Sequence, residues 1–332
     1  MRAIERPSAA LLMFPGLEAL VLSVDARGRL ESVVDLVAPV PFATATEVPT
    51  DVEVLLTGWG CPMLGDEALT ALPNLQLIAH AAGTVRPVAT DPVWDRGIVV
   101  TSAASANAIP VAEFTFAVVV MITKDVFAIR DRHRETRGRT AVVDQNRMGS
   151  RSRRIGLVGA STIGRLVIER LRSLDVNVVV ADPYLSGTEA AALGVEPVDL
   201  DELLATSDVV SLHAPLLEST RHMVGAAQLA AMRDGAWLVN TARGGLVDTD
   251  ALTTELVSGR LHAFLDTLDP EPLPADSPLY DLSNVVLTPH IAGSMGTEVA
   301  RMGDLAVTEV ERFVAGEPPL HPVVRSDMDH IA

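Results

Sequence analysis

The 332-residue chain has one cysteine, Cys61, and so no internal disulfide. It has no apolar run of the roughly 20 residues needed to cross a bilayer. The longest, VAEFTFAVVVMI at 111–122, is too short and carries Glu113. It has no convincing secretion signal, because MRAIERPSAALLMF sets Arg2, Glu5, Arg6 and Pro7 ahead of only a brief apolar patch. These absences lead us to expect a cytoplasmic protein without a membrane partner. Positive charge is in deficit: 26 basic against 43 acidic residues leave a formal net charge of −17. That sets the chain against nucleic-acid backbones, and no nucleic-acid partner is expected. The histidines are scattered without metal-ligand spacing, so no metal is expected. There is no internal repeat and no low-complexity linker.

What the chain does have is apolar bulk. It is 48% hydrophobic with a mean hydropathy of +0.29, which excludes a disordered chain and fits a densely packed α/β protein. Its length suggests two domains. One segment runs against the acidic average: arginines stand at 130, 132, 134, 137, 139, 147, 151, 153 and 154. It reads as a solvated helix and loop, as a subunit contact against an acidic partner copy or, last, as a nucleic-acid patch.

Short apolar runs at 18–24, 33–40, 52–57, 76–80 and 97–101 predict buried strands, with helix-like stretches such as CPMLGDEALTALPNL (61–75) between them. This alternation is the mark of a mostly parallel sheet. The stretch 107–135 predicts one long helix, with Asn107 as its cap and Pro110 in its first turn. A second series starts at Arg154. It has strands at 154–159, 176–182, 208–214, 235–242, 261–267 and 284–290, and helices at 162–174, 200–207 and 248–259. The tail 296–316 has helical periodicity.

The second series opens on GLVGASTIGRL (156–166). Gly159 ends a strand on a tight turn, and Gly164 lets the following helix pack close to that strand. The middle glycine of G-x-G-x-x-G is replaced by Ser161. A serine leaves less room but adds a hydroxyl, and the helix N-terminus still offers N–H groups and a positive dipole end to a diphosphate. Asp182 lies 18 positions beyond Gly164 at the end of the next apolar strand, where a carboxylate would bind the ribose hydroxyls of NAD and repel the extra phosphate of NADP.

Three further stretches raise the specificity: SLHAPLLESTRHMV (211–224), LVNTARGGLVD (238–248) and LDTLDPEPLPADSPLYDLSNVVLTPHIAG (265–293). With the nucleotide turn, in order and spacing, they resemble the NAD-dependent D-isomer-specific 2-hydroxyacid dehydrogenase family. The resemblance is strong from about Asn107 to Gly293 and looser outside. It implies two Rossmann-like α/β domains with mostly parallel sheets. An NAD-binding domain (107–294) is inserted into a substrate domain (1–106 plus 295–332). It also implies a homodimer and a small 2-hydroxy or 2-oxo acid as substrate. No appended regulatory domain is expected in the forty or so residues after His290.

Carried over motif by motif, Arg243 binds the substrate carboxylate and carbonyl, His290 is the acid/base and Glu271 is its carboxylate partner. Reduction of a 2-oxo acid needs a hydride at carbon and a proton at oxygen. Histidine is suited to move that proton near neutral pH, a carboxylate stabilises imidazolium, and arginine can clamp a carboxylate with two parallel hydrogen bonds. Taken singly, Arg243 also reads as a surface ion-pair residue, Glu271 as a loop charge and His290 as a packed histidine. The cofactor set implied is Gly159, Ser161, Thr162, Ile163, Gly164, Asp182, His213, Ala214, Pro215, Thr241, Ala242, Arg243, Asp266, His290 and Gly293.

In the substrate domain the loop HAAGTVRPV (80–88) departs from the family's pattern but keeps Gly83 and Thr84. Ala82, Gly83 and Thr84, with Arg243, are the expected substrate contacts. Thr267 replaces a more usual apolar residue and is expected to matter little. The alternative function is a non-catalytic, NAD-sensing scaffold on the same fold, as in corepressors that resemble this family. The intact Arg–Glu–His set favours the enzyme.

Overall fold

The strands that the apolar runs announce assemble into two sheets in the computed structural model, which describes residues 6–138, 148–329 and 331. The first series is β1 (Ser8–Leu12), α1 (Glu18–Val21), α2 (Val24–Val33), β2 (Asp35–Leu36), β3 (Val54–Thr57), α3 (Asp66–Ala71), β4 (Leu77–His80), α4 (Asp91–Asp95) and β5 (Val99–Ser102). Then come α5 (Ala104–Thr123) and α6 (Val126–Thr136). The second series is β6 (Arg153–Val158), α7 (Thr162–Leu171), β7 (Val176–Ala181), α8 (Gly187–Leu193), β8 (Glu196–Pro197), α9 (Leu200–Thr206) and β9 (Val209–Leu212). It continues through α10 (Ala226–Ala231), β10 (Trp237–Asn240), α11 (Thr249–Val257), β11 (His262–Leu265) and β12 (Val285–Leu287), and α12 (Val299–Val314) follows.

The five-stranded sheet has the order β2-β1-β3-β4-β5, and the seven-stranded sheet the order β12-β11-β10-β9-β6-β7-β8. Among the described residues every pairing between these strands is parallel. The chain divides into two compact units, residues 1–108 with 293–332, and residues 109–292. Each division falls two residues from the position expected from sequence, and the first lies inside α5.

Side chains alternate across a strand, so each sheet feeds two cores. In the first unit Leu11, Val54, Leu56, Leu77 and Ala79 join one cluster, and Leu12, Leu55, Ile78 and Val100 the other. The first cluster is closed by α12 through Val299, Met302, Ala306, Val307 and Val310, one stripe of a helix. In the second unit Val158, Val179, Val210, Leu238 and Leu265 face α9 to α11. Ile155, Leu157, Val180, Val239 and Phe264 face α5. Burial on both faces is why these strands read as continuous apolar runs.

Four readings of the sequence change. The run 18–24 is not a strand: it holds α1 and the start of α2, where the Ser23 hydroxyl caps α2 by accepting from Ala26 N at 3.1 Å. The true first strand is β1, inside the patch set aside as a poor signal; a short apolar run has no periodicity to separate strand from helix. The single helix expected over 107–135 is two, interrupted at Asp125, whose φ of 54° is left-handed. α5 begins ahead of Asn107, so Asn107 is not its cap and Pro110 lies inside it. Asn107 Oδ1 instead accepts from Ser294 N at 2.8 Å.

The last change concerns apolar length. α5 has 20 residues and a mean hydropathy of 1.7, enough by length and composition to cross a membrane. More than half of it is buried inside the protein, where Ala112, Val118, Val119 and Ile122 pack on the second sheet. Glu113 pairs with Arg170 at 3.3 Å. These are the marks of a core helix.

In the arginine-rich segment, Arg139 and Arg147 lie outside the described residues. Arg151, Arg153 and Arg154 pair with Asp175, Asp208 and Glu196 of their own unit.

Candidate active site

Seven parallel strands put all their carboxyl ends on one edge of the second sheet. That edge collects the expected residues: the glycine turn after β6, Asp182 after β7, His213 after β9, Arg243 after β10, Asp266 and Glu271 after β11, and His290 after β12. The strand order reverses between β6 and β9, and ligands of open α/β sheets bind in the crevice that such a reversal opens.

The turn fits a dinucleotide diphosphate. Gly159 has φ 101°, and a Cβ there would stand 2.8 Å from Ala214 N and 2.9 Å from the His213 carbonyl carbon, so only glycine fits. At Gly164 a Cβ would overlap the Gly159 carbonyl. The N–H groups of Thr162 and Ile163 open α7 and have no partner among the described residues. Ser161 caps α7: its hydroxyl donates to the His213 carbonyl at 2.9 Å and accepts from Gly164 N at 3.5 Å. The hydroxyl proton is therefore directed into the protein and not toward a phosphate. Asp182 Oδ2 accepts from Ala160 N at 2.6 Å and Oδ1 from Tyr184 N at 2.8 Å. These bonds hold the carboxylate across the turn, with lone pairs left for ribose hydroxyls.

His213 contributes to the turn through its backbone. Its imidazole is fully buried, bonds Ser211 Oγ through Nε2 at 3.0 Å, and is pushed down to about 4 by desolvation. Its Nδ1 has no partner among the described residues. Pro215 offers its carbonyl to the Thr220 hydroxyl at 2.7 Å.

The turn carrying Arg243 is shaped by a residue the sequence reading did not single out. Asn240 ends β10 fully buried; its Nδ2 donates to the Arg243 carbonyl at 2.8 Å and its Oδ1 accepts from Ala242 N at 3.1 Å. The available signal was an amide at the end of an apolar strand, because a buried amide must find partners. Thr241 meets Thr115 hydroxyl to hydroxyl at 2.8 Å, and the Arg243 guanidinium donates to the Ala242 carbonyl at 2.7 Å. At Gly244 a Cβ would overlap the Leu268 carbonyl, so the Arg243 turn and the loop leading to Glu271 touch backbone to backbone.

Glu271 and His290 are brought together: Nδ1 lies 2.9 Å from Glu271 Oε1, and both side chains are exposed. His290 holds a left-handed backbone, φ 56°. Asp266 imposes it. This buried carboxylate accepts from Thr288 Oγ1 at 2.6 Å, Ile291 N at 2.8 Å and Ala292 N at 2.9 Å, while His290 N donates to the Asp266 carbonyl at 2.9 Å. Asp266 thus positions the histidine. Neighbouring Thr267 is buried, and its hydroxyl has no partner among the described residues.

The remaining expected residues belong to the first unit. Ala82 is buried, Gly83 and Thr84 half-buried, and a Cβ on Gly83 would press on Asn107 Nδ2 at 2.8 Å. Gly293 also adjoins Asn107 and falls in the first unit. His80 is buried and holds the loop: Nδ1 meets Thr57 Oγ1 and Nε2 the Thr84 carbonyl, each at 2.8 Å. Desolvation pushes it down to about 4. A cavity of about 340 Å³ opens at the opposite, amino-terminal edge of the second sheet, lined by Asp208, Trp237 and His262 among others. None of the strand-end residues borders it, so volume alone does not find this site.

A doubly wound parallel sheet with a glycine turn at its reversal, a carboxylate on the next strand and a histidine–carboxylate pair at the same edge defines a dinucleotide-binding protein with acid/base groups. The family described as D-isomer specific 2-hydroxyacid dehydrogenase, NAD binding domain, matches residues 116–292, and the chain belongs to that family. It is 35% identical over 256 residues to a glyoxylate reductase of Korarchaeum cryptofilum, covering 76% of this chain and 77% of that protein. It is 34% identical over 252 residues to a D-3-phosphoglycerate dehydrogenase of Mycobacterium tuberculosis, covering 76% of this chain and 47% of that protein. The chain thus spans about half the length of the phosphoglycerate dehydrogenases it matches. Among solved structures it resembles TT0316 of Thermus thermophilus, with TM-score 0.78 and 30% identity over 95% of this chain and all of that one. It also resembles a D-lactate dehydrogenase of Aquifex aeolicus complexed with NAD and lactic acid, with TM-score 0.72 and 26% identity over 93% and 96% of the two chains.

Proposed function

We propose that this protein is an NAD-dependent oxidoreductase that interconverts a 2-oxo acid and its D-2-hydroxy acid. The observation that carries the proposal is the 2.9 Å contact between His290 Nδ1 and Glu271 Oε1 at the carboxyl edge of the NAD-binding sheet. With Nδ1–H donated to the carboxylate, Nε2 is the nitrogen free to exchange a proton with substrate. During reduction, Nε2–H of the imidazolium protonates the oxygen of the substrate carbonyl; during oxidation, neutral Nε2 takes the proton back. Glu271 holds the charge on the ring, and Arg243 orients the substrate through its carboxylate. Gly159, Thr162, Ile163 and Asp182 would hold the dinucleotide, which supplies the hydride when bound.

The working assembly we propose is the homodimer that the family resemblance implies. A monomer by light scattering at micromolar concentration would remove it. For the chemistry, His290→Ala should lower kcat by about 10²–10⁴-fold, the usual worth of general acid–base help, while NADH binding persists. If turnover at saturating substrate and NADH stays within a few-fold of the original, His290 is structural and the proposal is wrong.

A further inference from the structure

Positive charge is scarce where the dinucleotide ribose would lie. In 159–166, the turn after β6 with the start of α7, and in 182–189, the stretch from the end of β7 into α8, Arg165 is the only cation, against Asp182 and Glu189.

Arg165 stands in the first turn of α7, directly after Gly164. Its Nε donates to the Ala160 carbonyl at 2.9 Å, while the N–H of the same Ala160 donates to Asp182 Oδ2 at 2.6 Å. One residue of the turn thus joins the guanidinium to the carboxylate that would bind the ribose hydroxyls. In dinucleotide-binding folds an arginine near that carboxylate is what accommodates the extra phosphate of NADP. Arg165 is so placed, yet its charge is already matched.

The partner is Glu189, the third residue of α8, whose Oε1 accepts from Arg165 Nη2 at 2.9 Å. Its Oε2 accepts from Ser186 N at 3.1 Å and Ser186 Oγ at 2.7 Å, and its own N–H donates to Ser186 Oγ at 3.2 Å. This reciprocal cap of α8 fixes the carboxylate although the side chain is 46% exposed. The Ser186 hydroxyl and N–H, and then Arg165, hold the Glu189 carboxyl down at about 2, so it stays ionised at neutral pH. An exposed ion pair contributes little when both side chains are free to leave it; here one is tied to its own helix. Glutamine closes the same kind of cap, so the cap alone does not call for a charge at this position. Two carboxylates against one guanidinium leave the ribose site net negative.

We propose that Glu189 is a cofactor-specificity residue: by pairing with Arg165 it withholds that guanidinium from a 2′-phosphate, so that NAD(H) is selected over NADP(H) by two carboxylates and not by Asp182 alone. This rests on the dinucleotide reading of the turn, with Asp182 at the ribose.

The test is direct binding of NADH and NADPH to the full chain, followed by nicotinamide fluorescence. Glu189→Gln keeps the cap and removes the charge. It should tighten NADPH about 5-fold, the worth of one unit charge a few ångström away in solvent-exposed surroundings, and leave NADH affinity and the melting temperature unchanged. Asp182→Ser together with Glu189→Gln should tighten NADPH further than either change alone, and adding Arg165→Gln should cancel the gain. The gain should also shrink at high salt. An unchanged NADPH affinity in Glu189→Gln, a gain that survives Arg165→Gln, or an equal weakening of both cofactors overturns the inference and leaves the NAD-binding reading in place. Failure of the unmutated chain to bind NADH overturns both.

Discussion

His290 is a histidine in a backbone conformation that few non-glycine residues adopt, held there by a carboxylate it does not itself touch with its ring. Asp266 absorbs three donors from 288–292 and so sets the angle at which the imidazole meets Glu271. Withdrawing the Glu271 charge while keeping its shape isolates the electrostatic part. In Glu271→Gln kcat for reduction should fall by about 10-fold or more at saturating substrate while NADH binding persists. An unchanged kcat would mean that the Glu271 charge plays no part in the proton transfer. Two further histidines, His80 and His213, are buried and act on stability. Burial pushes both His80 and His213 down from 6.5 to about 4. The unfolded chain therefore binds more protons between these values. Their contribution is present in full above pH 6.5 and is lost as pH falls toward 4. A shift of that size corresponds to roughly 3 kcal/mol for each group. Urea midpoints from pH 7 to pH 4.5 should fall steeply, and less steeply in His80→Gln or His213→Gln. Parallel curves for the variants would exclude these groups as the cause.

At the scale of elements, two glycines make opposite predictions. Gly303 lies on α12 where it crosses α1, and a Cβ there would overlap the Val21 carbonyl. Backbone cannot give way as a side chain can, so Gly303→Ala should destabilise by about 1–3 kcal/mol, the usual cost of overpacking. Gly28 sits within α2 with nothing within 4 Å of its would-be Cβ, so Gly28→Ala should stabilise by about 0.5–1 kcal/mol through helix propensity. Calorimetric melting temperatures moving in the same direction for both would contradict the packing described. The same elements show where sequence reading fails. In the second series six of the seven strands were legible, because each is a continuous apolar run, while the two-residue β8 and the short helices α8 and α10 were not. The first series was misread at its start, where the apolar run 18–24 was read as a strand and SAALL was passed over within the N-terminal patch. SAALL is almost wholly buried, whereas Leu20 and Val24 are exposed, and runs this short carry too few residues to show the period that separates strand from helix.

For the whole molecule, the proposed cofactor contacts at the glycine turn and Asp182 would couple the cofactor to folding. A ligand that binds only the folded chain adds about 2.7 kcal/mol of stability at a concentration 100-fold above its Kd. NADH should therefore raise the melting temperature more than NADPH at equal concentration, and Asp182→Ala should narrow the difference. Equal shifts in the unmutated protein would remove Asp182 as the discriminator. By itself the sequence determined the α/β class and the dinucleotide-binding family, and it singled out Arg243, Glu271 and His290 as the proposed catalytic set, because each rests on residue type and spacing that survive without a fold. Only the tertiary structure decided that the Ser161 hydroxyl turns inward and that Asp266 and Asn240 shape the turns carrying His290 and Arg243. The reason is that these are relations between strand ends, and parallel pairing brings together residues that the chain keeps tens of positions apart.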